Sequence, residues 1–252
     1  MDKLHGVQTV PTEHWASFAD LQVHYLEWPG DGPPLVALHG LASSAHWYHR
    51  LSHIMASDYR IIAPDQRGHG QTTQATGGYD WQTLASDVVG LMNHLGVERA
   101  PVLGHSWGGH VASNLAARFP DRVSCLVMID GGFQDGHLLP DASWELFKQR
   151  FGPRDVSGTK EEFLGRLRTQ MADSWADDLE STVLSMVYED KQGLIRDILH
   201  PDHHAQVLRS MWDEPPSVVL PQIQCPTLIV PAGPLLDRAN SEFSKMREIM
   251  VA

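Results

Sequence analysis

The stretch that decides the fold is Ala100-Pro101-Val102-Leu103-Gly104-His105-Ser106-Trp107-Gly108-Gly109. Ala100 to Gly104 is a short apolar run, as a buried strand requires. Val111, Leu115, Ala116 and Phe119 then fall at helical spacing, and Pro120 closes that helix. A serine therefore stands where a strand turns sharply into a helix. Such a turn strains the backbone of its central residue, and small residues at Gly104 and Gly108 let the flanking backbone come close. The Ser106 hydroxyl then projects from the C-terminal edge of a sheet, and the helix N-terminus favours developing negative charge there. A bare G-x-S-x-G is a weak signal. Between strand and helix it reads as a turn that presents a nucleophile.

Working outward, the same rhythm repeats. Leu84, Val88, Leu91, Met92 and Leu95 mark the preceding helix, stopped by Gly96. Leu35–Leu38, Tyr59–Pro64 and Val123–Ile129 are continuous apolar runs. Leu21–Trp28 alternates in part and reads as an edge or near-edge strand. Strands alternating with helices give a mostly parallel sheet covered on both faces. From Gly131 to about Pro221 the pattern changes. This stretch carries no convincing strand but shows helical patterns at Trp144–Phe151, Glu161–Met171, Trp175–Tyr188 and His203–Trp212. The α/β rhythm resumes at Pro226-Thr227-Leu228-Ile229-Val230. Residues 1–130 and 222–252 are therefore expected to form one core domain, and residues 131–221 a helical cap inserted into it. Phe243, Met246, Ile249 and Met250 form a last apolar stripe at helical spacing.

Composition bounds the function. The chain has 252 residues, 42% of them hydrophobic, with 19 Lys+Arg against 31 Asp+Glu and a formal net charge of −12. That balance argues against a nucleic-acid binder and against an anionic-membrane binder. Cys125 and Cys225 are the two cysteines, too few for a disulfide scaffold or a Cys-rich zinc site. The N-terminus has no apolar signal core, and no run is long enough to span a membrane. The expectation is a cytoplasmic protein that acts on a small molecule and needs no cofactor or metal. The cluster His200-Pro201-Asp202-His203-His204 reads as solvent-facing loop histidines rather than a metal site.

Two more motifs precede the serine. In Leu38-His39-Gly40-Leu41 at a strand end, Gly40 allows a tight bend, and the Leu41 amide can pair with that of Trp107 as two oxyanion donors. The His39 ring reads as a tie for that loop rather than a base. Asp65-Gln66-Arg67-Gly68-His69-Gly70-Gln71 reads as a loop-fixing network, with Asp65 capping the turn and Arg67 holding carbonyls. Together with Gly104-His105-Ser106-Trp107-Gly108-Gly109, these stretches resemble the α/β-hydrolase superfamily over about residues 20 to 235. Asp87 also stands where members often carry an Asp.

The resemblance implies a doubly wound, mostly parallel α/β sheet with a helical cap inserted after the sixth strand. It implies a Ser–acid–His triad in that chain order, with Ser106 as nucleophile. A serine there argues against haloalkane dehalogenases and epoxide hydrolases, which look similar but attack with an Asp. The acid has two candidates. Asp237 follows the strand after the cap, but in Gly233-Pro234-Leu235-Leu236-Asp237 it falls one residue too far from the glycine. Asp130, in Ile129-Asp130-Gly131-Gly132, is slightly preferred. Members place the histidine after the last strand, yet no histidine follows His204. The C-terminal strand, the His loop and the final helix are thus expected to be absent. The open edge so left predicts self-association into a homo-oligomer. His105, His110, His137, His200, His203 and His204 are the remaining histidines to weigh as substitutes. Cap residues such as Trp144, Phe147, Phe151 and Trp212 fit an apolar acyl or alkyl group. The leading expectation is a serine hydrolase that cleaves an ester or related acyl bond of a small, fairly apolar substrate through an acyl-enzyme. A C–C bond hydrolase or lyase is one alternative, and a catalytically incomplete fragment or non-enzymatic binding protein is another.

Overall fold

The computed structural model describes residues 10–232, except residues 173 and 177. Two N-terminal strands, β1 (Thr12–Phe18) and β2 (Leu21–Trp28), form an antiparallel hairpin. Next come β3 (Pro34–Leu38), α1 (His49–Met55), β4 (Arg60–Pro64), α2 (Trp81–His94), β5 (Ala100–His105), α3 (Trp107–Arg118) and β6 (Val123–Ile129). A further strand, β9 (Thr227–Val230), completes one seven-stranded sheet in the order β1-β2-β4-β3-β5-β6-β9. From β4 through β9 every pairing is parallel. The fold is a mostly parallel α/β sheet, as the sequence implied. Leu21–Trp28 lies one strand in from the edge, because β1 pairs along its whole length. The sequence hides β1 because only Ala16 in it is buried, which leaves almost no apolar alternation to read.

The continuous apolar runs are explained by burial on both faces. Along β3, Val36 and Leu38 pack with Leu84, Val88, Val111 and Leu115 of α2 and α3. Leu35 and Ala37 point the other way, against Ala45, Tyr48, Ile61 and Leu103. Each helix ends where its sequence directs. The Asp80 side chain accepts the Thr83 amide at 2.9 Å and caps α2. At the other end Gly96 takes φ +66°, and the Val97 amide reaches back to the Met92 carbonyl at 2.8 Å.

Between β6 and β9 lie α4 (Trp144–Arg150), α5 (Lys160–Gln170), α6 (Leu179–Leu184), α7 (Pro201–Asp213) and α8 (Pro216–Val219). Two expectations for this stretch are corrected. It contains a short hairpin, β7 (Val187–Glu189) with β8 (Ile195–Asp197), so Tyr188 belongs to a strand rather than to a helix. Strands of three residues are too short to show a period. The turn supplies the order instead, as Asp190 accepts the amides of Gln192 and Leu194 and Gly193 takes φ +76°. His203 and His204 are buried in the first turns of α7 rather than solvent-facing in a loop. Pro201 starts that helix at its first position, where a missing N–H costs nothing. Of the three histidines in the cluster only His200 is exposed, and its ring caps the helix by accepting the Asp202 amide.

Among the described residues no helix is long and apolar enough to cross a membrane. The capping geometry of α2 yields a stability prediction. Asp80→Ala should lower stability by about 1 kcal/mol, read as a shifted urea midpoint with unchanged slope.

Candidate active site

Ser106 joins β5 to α3 with φ +51° and ψ −120°, a backbone conformation that serine rarely adopts. Its amide donates to the Ile129 carbonyl at 2.8 Å, and its own carbonyl accepts the Gly109 amide at 2.9 Å. The neighbouring glycines are required by contact. A Cβ on Gly104 would lie 2.2 Å from the Gly108 oxygen, and one on Gly108 would lie 2.1 Å from the Leu38 oxygen. A Cβ on Gly131 would lie 2.3 Å from the Ser106 oxygen. The turn is thus clamped from β3, from β6 and from its own helix. Trp107 is the first residue of α3, so its amide has no acceptor within the helix.

The Gly40 loop passes directly against the serine. A Cβ on Gly40 would lie 3.3 Å from the Ser106 Cβ. Two buried histidines hold this loop in the same way. His39 Nε2 accepts the Gln66 amide at 3.0 Å, so Nδ1 carries the proton and donates to the Gly40 carbonyl at 2.8 Å. His69 Nε2 accepts the Ala42 amide at 3.1 Å, so its Nδ1 donates to the Arg67 carbonyl at 2.9 Å. Leu41 lies between these fixed points. Among the described residues its amide donates to no protein acceptor. It is therefore available, with the Trp107 amide, for an oxyanion.

Beneath the loop, buried Asp65 accepts from His24 Nδ1 at 2.8 Å and from the amides of Ala45 and Gln71 at 2.7 and 2.9 Å. Burial alone would raise this carboxyl. The His24 hydrogen bond, the nearby His39 and the two amides outweigh it and hold the group at about 2. Arg67 forms two bonds to Asp87, at 2.8 and 3.0 Å, and donates to the Gly77 carbonyl.

Residues 33–215 match the family described as the alpha/beta hydrolase fold. The chain belongs to that family. It is 37% identical over 124 residues to a soluble epoxide hydrolase of Corynebacterium sp. (strain C12), covering 49% of this chain and 43% of that protein. It is 36% identical over 112 residues to a bifunctional esterase/perhydrolase of Acinetobacter calcoaceticus, covering 43% and 41%. These matches span less than half the length of either relative. The crystal structure of an E-2-(acetamidomethylene)succinate hydrolase superposes with a TM-score of 0.70 at 19% identity, covering 95% of this chain and 98% of that one. That likeness shows the fold.

In this α/β-hydrolase the acid candidates stand differently. Asp130 follows β6 at φ +49°, directly before Gly131, whose backbone abuts Ser106. Its amide donates to the Val230 carbonyl at 2.9 Å, and its Oδ1 accepts the Ala232 amide at 3.1 Å. Asp237 lies outside the described residues. No histidine makes a hydrogen bond to Ser106 among the described residues. The His105 ring stacks on Trp47 at 4.7 Å. His110 is buried against Trp81, and His137 bonds Asp135 and lies on Trp212. His203 stacks on Tyr79, and His204 Nε2 meets the Phe151 carbonyl.

The sequence sets Gln66 within the loop-fixing stretch without a contact of its own, and takes Gly131 only as leaving the Asp130 carboxylate accessible, not as packing on Ser106. Gln66 fastens both ends of His39, since its side chain also donates to the His39 carbonyl at 2.7 Å. Its position inside Asp65–Gln71 was the only signal.

The buried rings set a pH dependence. Burial lowers His39, His69 and His110 from 6.5, His69 to about 3 and His110 to about 4. The unfolded chain binds these protons as pH falls through 6.5, while the folded chain does not. Stability should be full above that value and fall steadily below it. Urea midpoints measured between about pH 8 and pH 5 check this, and a flat profile would contradict neutral buried rings.

Proposed function

We propose that the chain acts as a serine hydrolase on an ester or related acyl bond of a small, fairly apolar substrate. The observation that carries this reading is Ser106 at φ +51° between β5 and α3, with the Gly40 loop against it. In this reading the Ser106 hydroxyl attacks the acyl carbon. The Ser106 proton passes to the triad histidine that the resemblance implies, which Asp130 orients, the Leu41 and Trp107 amides donate to the oxygen as it gains charge, and water then releases the acyl group.

Several similar proteins are named for epoxide hydrolysis or dehalogenation. Others are named as an esterase/perhydrolase and a chloroperoxidase. The side chain at the turn separates these readings. A serine there favours acyl chemistry, since the resemblance drawn from the sequence gives an Asp to enzymes that open epoxides. C–C bond cleavage uses the same scaffold, and turnover of aryl esters against vinylogous diketones separates the two.

A fluorophosphonate probe should label the full chain at Ser106, located by mass spectrometry. Ser106→Ala should abolish labelling and lower p-nitrophenyl ester turnover by about a thousandfold or more. Equal labelling of the Ala variant, or none of the wild type, overturns the reading. For the acid, Asp130→Asn should lower kcat by about 10³-fold or more, and Asp237→Asn much less. The reverse order would give the role to Asp237.

A further inference from the structure

His49 and His53 stand one turn apart on α1, a spacing that brings two side chains together on one helix face. Their Nε2 atoms are 3.3 Å apart. The rings are nearly perpendicular, at 84°, with centroids 4.6 Å apart. Two nitrogens bound to one tetrahedral zinc ion, each at its normal bond length, lie about 3.3 Å from one another. The pair therefore already holds the separation that a chelated ion needs.

The surroundings suit a cation. Arg50, the nearby cation, is taken up by two hydrogen bonds to Asp178, at 2.5 and 2.7 Å. The two Nε2 atoms share one hydrogen bond, and His53 Nδ1 is buried with no protein partner among the described residues. Neither ring takes part in the Ser106 turn or in the ties of the Gly40 loop.

We propose that His49 and His53 chelate a divalent ion of borderline softness, such as Zn²⁺, Ni²⁺ or Cu²⁺, through their two Nε2 atoms. On binding, the proton shared between the Nε2 atoms moves to Nδ1 of its own ring, and both lone pairs turn to the ion. Among the described residues no group of three metal-type side chains occurs, so water completes the shell. Imidazole ligands without carboxylates favour these ions over Mg²⁺ and Ca²⁺.

The test is calorimetric titration of the full, untagged chain with zinc chloride. One equivalent should bind, and magnesium chloride should give no signal. His49→Ala and His53→Ala should each weaken Zn²⁺ binding by about tenfold or more, while His94→Ala, an exposed control, should not. Loaded with one equivalent of Cu²⁺, the wild type should show two nitrogen ligands by electron paramagnetic resonance, a readout independent of whether the variants fold. No Zn²⁺ uptake, unchanged affinity in both variants, or fewer than two nitrogen ligands would overturn the site.

Discussion

A left-handed backbone at Ser106 is the constraint around which the C-terminal edge of the sheet is arranged. Holding a non-glycine residue there costs on the order of 1–3 kcal/mol, so the surroundings must over-determine it. They do so through sheet order. Because β5 lies between β3 and β6, the Leu38 carbonyl presses on Gly108 from one side. The Ile129 carbonyl and Gly131 hold Ser106 from the other. None of these approaches leaves room for a side chain. The glycines are therefore consequences of the strand order, and the strained serine follows from both.

The second layer of support is polar and buried, and its protonation is set by geometry. His39 and His69 each accept a backbone amide on Nε2 and give Nδ1–H to a backbone carbonyl. Only a neutral imidazole with one fixed tautomer can do this. A charged ring would lose its acceptor and clash with the amide it holds. Asp65 keeps its charge for the complementary reason, since three donors surround it. Neutral rings and one anion thus fix the loop that carries the Leu41 amide.

What the sequence revealed, and what it did not, divides along the same line. Periodicity and punctuation exposed β3 to β6, α2, α3 and the serine turn, because each is fixed locally by apolar spacing, glycine or proline. β1 and the β7–β8 hairpin escaped because the first buries one residue and the others are three residues long. The helical pattern from His203 holds, but His203 and His204 are buried rather than solvent-facing, because their rings pack on Tyr79 and meet the Phe151 carbonyl across the fold. Gln66 was invisible as a brace, since its partners are 27 residues away in sequence.

That division extends to the parts of a triad. A nucleophile and its oxyanion donors are backbone features, so residue spacing announces them. An acid depends on how its carboxylate is aimed, which is settled across strands. Asp130 illustrates this. Nothing in Ile129-Asp130-Gly131 says where the carboxylate points. Pairing of β6 with β9 brings the Val230 carbonyl to the Asp130 amide and the Ala232 amide to its Oδ1. One bond comes from β9 and the other from the residues just after it. The insertion between β6 and β9 is therefore tolerated only because the two strands still meet, and the aim of Asp130 depends on that meeting.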